Sequence, residues 1–153
     1  MAVRTWLSTS GNLTATAAWS GATVPVAGDF VRWPRQALVA PTSNLNGLAA
    51  EALAGWYVED GFPIPFGSSG KPIHVDADDI KLFGDGPNYI QHTGTAGTNQ
   101  LFYAPESSNG MLVLSGNDIG KIICVSGNTF LTHASYAVNA LLVCRNPRGD
   151  DPI

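Results

Sequence analysis

Ile80-Lys81-Leu82-Phe83 is the first of four short apolar segments that recur along this chain of 153 residues. Leu101-Phe102-Tyr103-Ala104 and Ile122-Ile123-Cys124-Val125 follow it at intervals of 21 residues, and Leu141-Leu142-Val143-Cys144 comes 19 residues later. A repeat of fixed length is typical of a solenoid, in which each turn buries its apolar side only against its neighbours. The repeat therefore indicates the fold class.

A second series of strand-like segments lies between the first, at 89–91, 111–114 and 129–131, with Gly, Asn, Asp or Ser at the corners. Two short strands and polar corners within about 20 residues are typical of one coil of a parallel β-helix. We therefore predict an all-β protein, a short right-handed parallel β-helix with about 20 residues per coil.

Residues 1–28 are rich in Ser, Thr, Ala and Gly and lack the repeat. We predict that they form an irregular N-terminal capping segment over the first coil, because the end of a solenoid otherwise exposes its core and strand edges. The β-helix domain is predicted to span 29–145. A polar tail with two prolines follows at 146–153.

The composition narrows the classes of partner. Charged residues make up 13% of the chain, about half of the usual share, so we expect another protein surface to cover part of this one. A net charge of −4 argues against nucleic acid, because phosphate contacts need clustered Lys and Arg. No apolar run approaches the roughly 20 residues of a membrane span, and the first residues do not read as a signal peptide. The sequence thus predicts synthesis in the cytoplasm and no membrane contact.

The repeated strands are apolar on both of their faces. Alternate side chains point to opposite sides, and one column, from Ile80 and Leu82 onwards, is the predicted core. The opposite column is also apolar apart from Lys81, and exposed apolar surface of this kind usually marks an interface. We therefore predict a homotrimer about an axis parallel to the solenoid, with a subunit interface at Phe83, Phe102, Ile123, Val125 and Leu142. The alternative is that the N-terminal segment covers this column within the chain.

The Cys and His residues do not predict a metal site. Aligning the strands places Cys124 level with Val143 and turns Cys144 to the opposite face, so both thiols are predicted to stay reduced. The histidines lie far apart in the sequence and lack the spacing of zinc ligands: His74, His92 and His133. We predict no metal and no cofactor.

The acidic cluster Asp76, Asp78 and Asp79 follows a predicted strand, where β-helix enzymes can carry catalytic carboxylates. Sugar cleavage needs two opposed carboxyl groups at a defined separation, and the periodic Gly-Asp signature of calcium-binding β-rolls is absent. We interpret the cluster as an exposed corner and predict that the protein is not an enzyme. Several aromatic residues could either stack on sugar rings or fill the core: Trp19, Trp33, Trp56 and Tyr89.

Two stretches within about residues 15–85 resemble known proteins. The first is similar to the opening of short β-helical proteins and comprises Trp19-Ser20-Gly21, Val24-Pro25 and Gly28-Asp29-Phe30-Val31. The second resembles the central motif of small proteins encoded beside bacteriophage head genes and comprises Asp60-Gly61-Phe62, 67–73 and Asp76-Ala77-Asp78. Together they resemble small β-helical virion proteins of tailed phages.

The resemblance implies a structural role in a virion. A chain this short is similar to a capsid decoration, or cement, protein that binds the outside of the phage head, with the major capsid protein as its partner. We expect the capsid contact in the N-terminal segment, at Trp6 and Trp19. The alternatives are a tail-fibre or baseplate component that binds host glycan through aromatic residues, and a small polysaccharide-degrading enzyme. The chain lacks the many coils of enzymatic tailspikes, which disfavours the enzyme.

Overall fold

The computed structural model describes residues 1–7, 9–62, 65–84, 87–95, 98–105, 110–117, 119–125, 128–131 and 141–144. The strands are β1 (Val3–Thr5), β2 (Phe30–Trp33), β3 (Gly55–Val58), β4 (Ile73–Val75), β5 (Asp79–Leu82), β6 (Asn88–His92), β7 (Gln100–Tyr103), β8 (Met111–Gly116), β9 (Lys121–Cys124), β10 (Asn128–Leu131) and β11 (Leu141–Cys144). Two short 3₁₀ helices lie in the N-terminal segment, at Thr16–Ala18 and Ser20–Ala22. Within these ranges, no helix has the length and apolar character needed to cross a membrane. The predicted tail and His133 lie outside the described residues.

The strands form two parallel sheets. The long sheet has the order β1-β2-β3-β5-β7-β9-β11, and the short sheet has the order β4-β6-β8-β10. From β4 onwards the chain alternates between the sheets, and each strand pairs with the one that comes a coil later. The coils therefore stack as a β-solenoid of about five turns. The prediction of an all-β solenoid is confirmed.

Burial alternates along the strands of the long sheet as the sequence predicts. Ile80 pairs with Leu101, and Leu101 with Ile122. All three side chains are buried, while the residues between them point outwards and are partly exposed. The inward column is thus a continuous core shared by neighbouring coils.

The last strand of the long sheet departs from the predicted alignment. Three pairs define its register: Leu141–Lys121, Leu142–Ile122 and Cys144–Cys124. Leu141 therefore lies 20 residues after its partner instead of 19, and a shift of one residue exchanges the two faces of a strand. By register, Leu142 belongs to the row of the buried Ile122 and not to the predicted subunit interface. Likewise, Cys144 is level with Cys124, which corrects the prediction of opposite faces.

Stacked aromatic rings fill the first coils. Trp33 lies at the centre of this cluster, with its ring centroid 5.0 Å from that of Trp6, 5.4 Å from that of Trp19 and 4.6 Å from that of Phe66. Trp6 and Trp19 are 1% and 0% exposed. Neither side chain presents a surface to a partner, so the predicted capsid contact at these two residues does not fit the fold.

The N-terminal segment closes the first coil, because β1 adds an edge strand to the long sheet and is itself covered. The Ser20 hydroxyl accepts a hydrogen bond from the Thr5 backbone N–H at 2.9 Å on the open edge of β1. Asp29 accepts hydrogen bonds from the Ala2 N–H at 2.8 Å and from Arg4 Nε at 3.0 Å. Burial by itself raises the pKa of Asp29, but these hydrogen bonds and the Arg4 charge outweigh it, so this pKa lies below its usual value. The end of the solenoid is thereby protected from edge-to-edge pairing.

Candidate functional site

The outward-pointing side chains of β3, β5, β7 and β9 form one continuous surface on the long sheet. We call this surface the outer face. Its residues are partly or fully exposed, and the N-terminal segment does not bury them. They are Tyr57, Asp79, Lys81, Phe83, Gln100, Phe102, Ala104, Lys121, Ile123 and Val125. Four of the five predicted interface residues, all but Leu142, thus lie together.

A chain of aromatic rings crosses the outer face. The ring centroids of Tyr57 and Phe83 lie 5.5 Å apart, and those of Phe83 and Phe102 lie 5.6 Å apart. The contacts join three successive coils, because Tyr57 is on β3, Phe83 directly follows β5, and Phe102 is on β7. Ile123 continues the row of Phe102 on β9. This ladder is the largest outward-pointing apolar feature of the long sheet in the part of the chain that the structure describes.

Beside the ladder lies a shallow groove of about 350 Å³ whose lining is mainly polar. Its floor is Phe102 and Ile123, and its rim carries Asp79, Gln100 and Lys121. These three rim residues pair in register on β5, β7 and β9 and form one row. Lys81 Nζ lies 2.6 Å from Asp79 Oδ2. Lys121 makes no ion pair with any described residue, so one cation of the groove remains available to a partner.

A second polar cluster is buried at the corner next to β6. His92 is 1% exposed, and its Nδ1 lies 2.9 Å from the Asn117 carbonyl oxygen. A Cβ atom added to Gly94 would lie 2.8 Å from His92 Nε2, 2.6 Å from Asp76 Oδ1 and 3.1 Å from Asn99 Nδ2. A glycine at position 94 therefore lets three polar side chains converge. Burial lowers the pKa of His92, while the Asn117 hydrogen bond, the Asp76 charge and the Asn99 side chain raise it by less.

This histidine predicts a pH-dependent stability. Because the folded protein binds the His92 proton more weakly than the unfolded chain does, unfolding takes up a proton below the ordinary pKa of 6.5. The contribution is therefore complete above pH 6.5 and is lost as the pH falls towards the folded-state pKa. We expect the free energy of unfolding to fall by up to about 1.4 kcal/mol per pH unit in that range, as measured by urea denaturation.

The His92→Gln variant should flatten this dependence. His74 lies on β4 at a partly exposed position, and His74→Gln is the matched control, which should keep the slope of the unmodified protein. An equal slope in the protein and in His92→Gln would show that other groups carry the pH dependence.

The other candidates from the sequence are separated by the fold. Asp76 accepts a hydrogen bond from the Ala52 N–H at the buried corner, whereas Asp79 lies in the groove with Lys81. The cluster therefore does not present two opposed carboxyl groups. Among the described residues, no three His, Cys, Asp or Glu side chains converge to hold a metal ion. Trp33 and Trp56 are buried in the core, while Tyr89 is partly exposed on β6.

Sequence reasoning missed two features of this surface. The first is the row Asp79–Gln100–Lys121, because each strand begins one residue earlier than the apolar segments suggest. The 21-residue interval that joins Ile80, Leu101 and Ile122 also joins these polar residues, and it was a signal that could have revealed the row. The second is the His92 corner, which depends on side-chain packing between coils. No protein-family model, curated protein or solved structure matches this chain.

Proposed function

We propose that the protein is a structural protein of a virion that self-associates through its outer face and decorates a phage capsid. The aromatic ladder of Tyr57, Phe83 and Phe102 is the observation that carries the proposal, because it leaves half-buried rings on a sheet surface with a low density of charge. Apolar surface of this kind is stabilised when a second protein surface removes it from water. The resemblance to small phage virion proteins supplies the biological setting.

The size of the outer face suggests how such a protein would work. Five strands spaced about 4.8 Å apart, each about 17 Å long, give a face on the order of 400 Å² per copy. Interfaces of this size are at the low end of specific association, so one contact in solution is expected to be weak. Repetition over a capsid lattice would add many such contacts, and the linked contacts bind more strongly than each alone. Self-association and capsid decoration are therefore compatible.

The capsid contact is better placed on exposed apolar residues of the N-terminal end than on the buried tryptophans. Leu7 is 47% exposed and Leu38 is 84% exposed. Trp6 Nε1 donates a hydrogen bond of 2.8 Å to the carbonyl oxygen of Val39, which fixes the loop that carries Leu38. Trp6 thus supports this surface from beneath. We propose that Leu7, Leu38 and Val39 contact the major capsid protein.

Phe102→Glu is expected to abolish self-association without unfolding the chain. The substitution places a charge at the centre of the outer face, where a partner would have to desolvate it. We expect the protein to sediment as an oligomer whose fraction rises with concentration, and the variant to sediment as a 16.0 kDa monomer. Far-ultraviolet circular dichroism would show that both retain the β-solenoid.

Tyr89→Glu is the matched control, because Tyr89 is also a partly exposed aromatic residue on a strand but belongs to the short sheet. It should associate like the unmodified protein. A protein that remains monomeric at the highest soluble concentration, alone and with purified capsids, would contradict the proposed function. Binding to capsids that Phe102→Glu does not affect would leave the decoration role and exclude the outer face as its basis.

A second function, glycan binding, is favoured by the groove alone. Phe102 offers a ring on which a sugar could stack, and Asp79, Gln100 and Lys121 offer acceptors and donors to sugar hydroxyl groups. This function corresponds to a tail-fibre or baseplate component. A glycan array separates the two functions, because binding that is lost in Gln100→Ala would favour the glycan-binding protein, whereas a decoration protein should bind nothing on it.

A further inference from the structure

The polar row on the outer face has opposite charges at its two ends. Asp79 on β5 is paired in register with Gln100 on β7, and Gln100 with Lys121 on β9. The row is thus negative, neutral and positive over three coils, and the neutral residue is at its middle. An inversion of the coil order about β7 exchanges the charges. This pattern is the kind of self-complementarity that a twofold interface requires.

The neighbouring rows behave in the same way when the coil order is inverted about β7. Phe102 and Ala104 lie on the middle strand or directly after it, so each would face its own copy. Phe83 is level with Ala104 and Val125, as the backbone hydrogen bonds that follow the strands show, and inversion brings Phe83 opposite Val125. Apolar residues would therefore face apolar residues in two of the three rows.

We propose that the partner of the outer face is a second copy of this chain, packed face to face with its solenoid axis reversed. The twofold axis runs along β7 in the plane between the two sheets. This inference rests on the proposed self-association and specifies its geometry. Asp79 of each copy then lies opposite Lys121 of the other, so that the interface contains two equivalent ion pairs.

The middle row is compatible with this arrangement although it contains a charge. Lys81 comes opposite Ile123 of the second copy. Its ammonium group is held by Asp79 at 2.6 Å within its own chain, so its methylene groups remain to cover the isoleucine. Lys121 then completes a chain of alternating charges, Lys81–Asp79–Lys121. Each copy contributes two anions and two cations from the groove lining, so the contact brings no net charge into the interface.

A parallel trimer pairs these charges less well. Rotation about an axis parallel to the solenoid keeps every coil at its own level, so Lys121 would meet Lys121 of the other copies. Asp79 would remain two coils away, at about 9.6 Å along the axis. Like charges at one level weaken association. The charged row therefore favours the antiparallel pair over the trimer that the apolar column alone predicts.

Charge reversal tests the geometry, with sedimentation equilibrium of the full chain over a concentration series as the measurement. We expect a mass of two chains, and a dissociation constant that rises roughly tenfold or more in Lys121→Glu and in Asp79→Lys. The double variant Lys121→Glu/Asp79→Lys should recover to within about threefold of the unmodified protein, because the reversed charges again face each other. Lys71→Glu makes the same change of charge at an exposed turn away from the outer face and should have no effect.

The outcomes separate this inference from the function on which it rests. A mass of three chains, or a double variant that associates no better than the two single ones, would overturn the antiparallel pair while self-association stands. A monomer at every concentration, unaffected by Phe102→Glu, would overturn self-association as well. Circular dichroism of each variant confirms that a loss of mass reflects the interface and not unfolding.

Discussion

Replacing Trp33 with alanine is expected to lower the free energy of unfolding by about 4 kcal/mol. The Trp33 ring is fully buried and contacts rings from both neighbouring layers, with centroids 5.1 Å from Trp56 and 5.0 Å from Trp6. Removing a buried indole loses its transfer free energy and leaves a cavity that the surrounding rings fill only in part. Edge-to-face contacts, such as that with Phe66, add about 0.5–1.5 kcal/mol each. Total stabilities of about 5–15 kcal/mol make such a loss severe.

The loss should be concentrated in the first coils. In a solenoid each coil contacts only its neighbours, so stability is close to a sum of local terms. Urea denaturation followed by tryptophan fluorescence reports on this region, because all four tryptophans lie in the N-terminal cluster. Leu38→Ala, at an 84% exposed position, is the control and should change the stability by less than about 0.5 kcal/mol. A similar loss in both variants would show that the cluster does not stabilise the fold as its packing implies.

Trp33→Phe provides a graded step between these extremes. Among the described residues, Trp33 Nε1 is buried without a hydrogen-bond acceptor, and a buried donor without a partner is destabilising. Phenylalanine keeps a ring at the site and removes that donor. We therefore expect a loss of about 1–2 kcal/mol, well below that of the alanine variant.

The repeat in the sequence was sufficient to predict the solenoid and its inward column. Apolar residues at alternate positions of strands one coil apart have few other ways to become buried, which is why Ile80, Leu101 and Ile122 aligned correctly. The alignment failed at β11 because the preceding coil is shorter by one residue, and hydrophobicity alone does not distinguish two registers of Leu141-Leu142-Val143-Cys144. In a segment that is apolar on both faces, only the hydrogen-bonding partners fix the register.

The candidate site was predicted only in part, for a related reason. Phe83 and Phe102 were recognised because they interrupt the expected alternation of apolar and polar residues. The tryptophans were assigned to a surface because the N-terminal segment has no period, so the sequence gives no sign of which side chains turn inwards. Trp6 and Trp19 are buried by contacts between segments that are distant in the sequence, such as that of Trp6 with Trp33. Non-local packing of this kind cannot be deduced from local patterns.

Gly116→Ala is expected to destabilise the protein by about 4 kcal/mol, through backbone geometry instead of a lost contact. Gly116 ends β8 with φ at +91°, and an ideal Cβ at this position would lie 2.1 Å from the His92 carbonyl oxygen and 2.9 Å from the His92 nitrogen. The colliding atoms belong to the backbone of the paired strand β6, so no change of side-chain rotamer can relieve the overlap. The strands must separate at the position where the Asn117 N–H donates to the His92 carbonyl oxygen at 2.9 Å.

Two other glycines separate the sources of this cost. Gly28 has φ at +78° with no atom within 4 Å of an added Cβ, so Gly28→Ala measures the left-handed backbone strain alone, about 1 kcal/mol. Gly70 has the same open surroundings without a φ in that region, and Gly70→Ala should be neutral to within about 0.5 kcal/mol. Equal effects of Gly116→Ala and Gly28→Ala in urea denaturation would mean that β6 and β8 can move apart at little cost. A larger effect at Gly116 alone would show that close approach of the strands at the His92 corner is required. In that case the partly unfolded corner should also lose the pH dependence that burial gives to His92, since both depend on the same contact between coils.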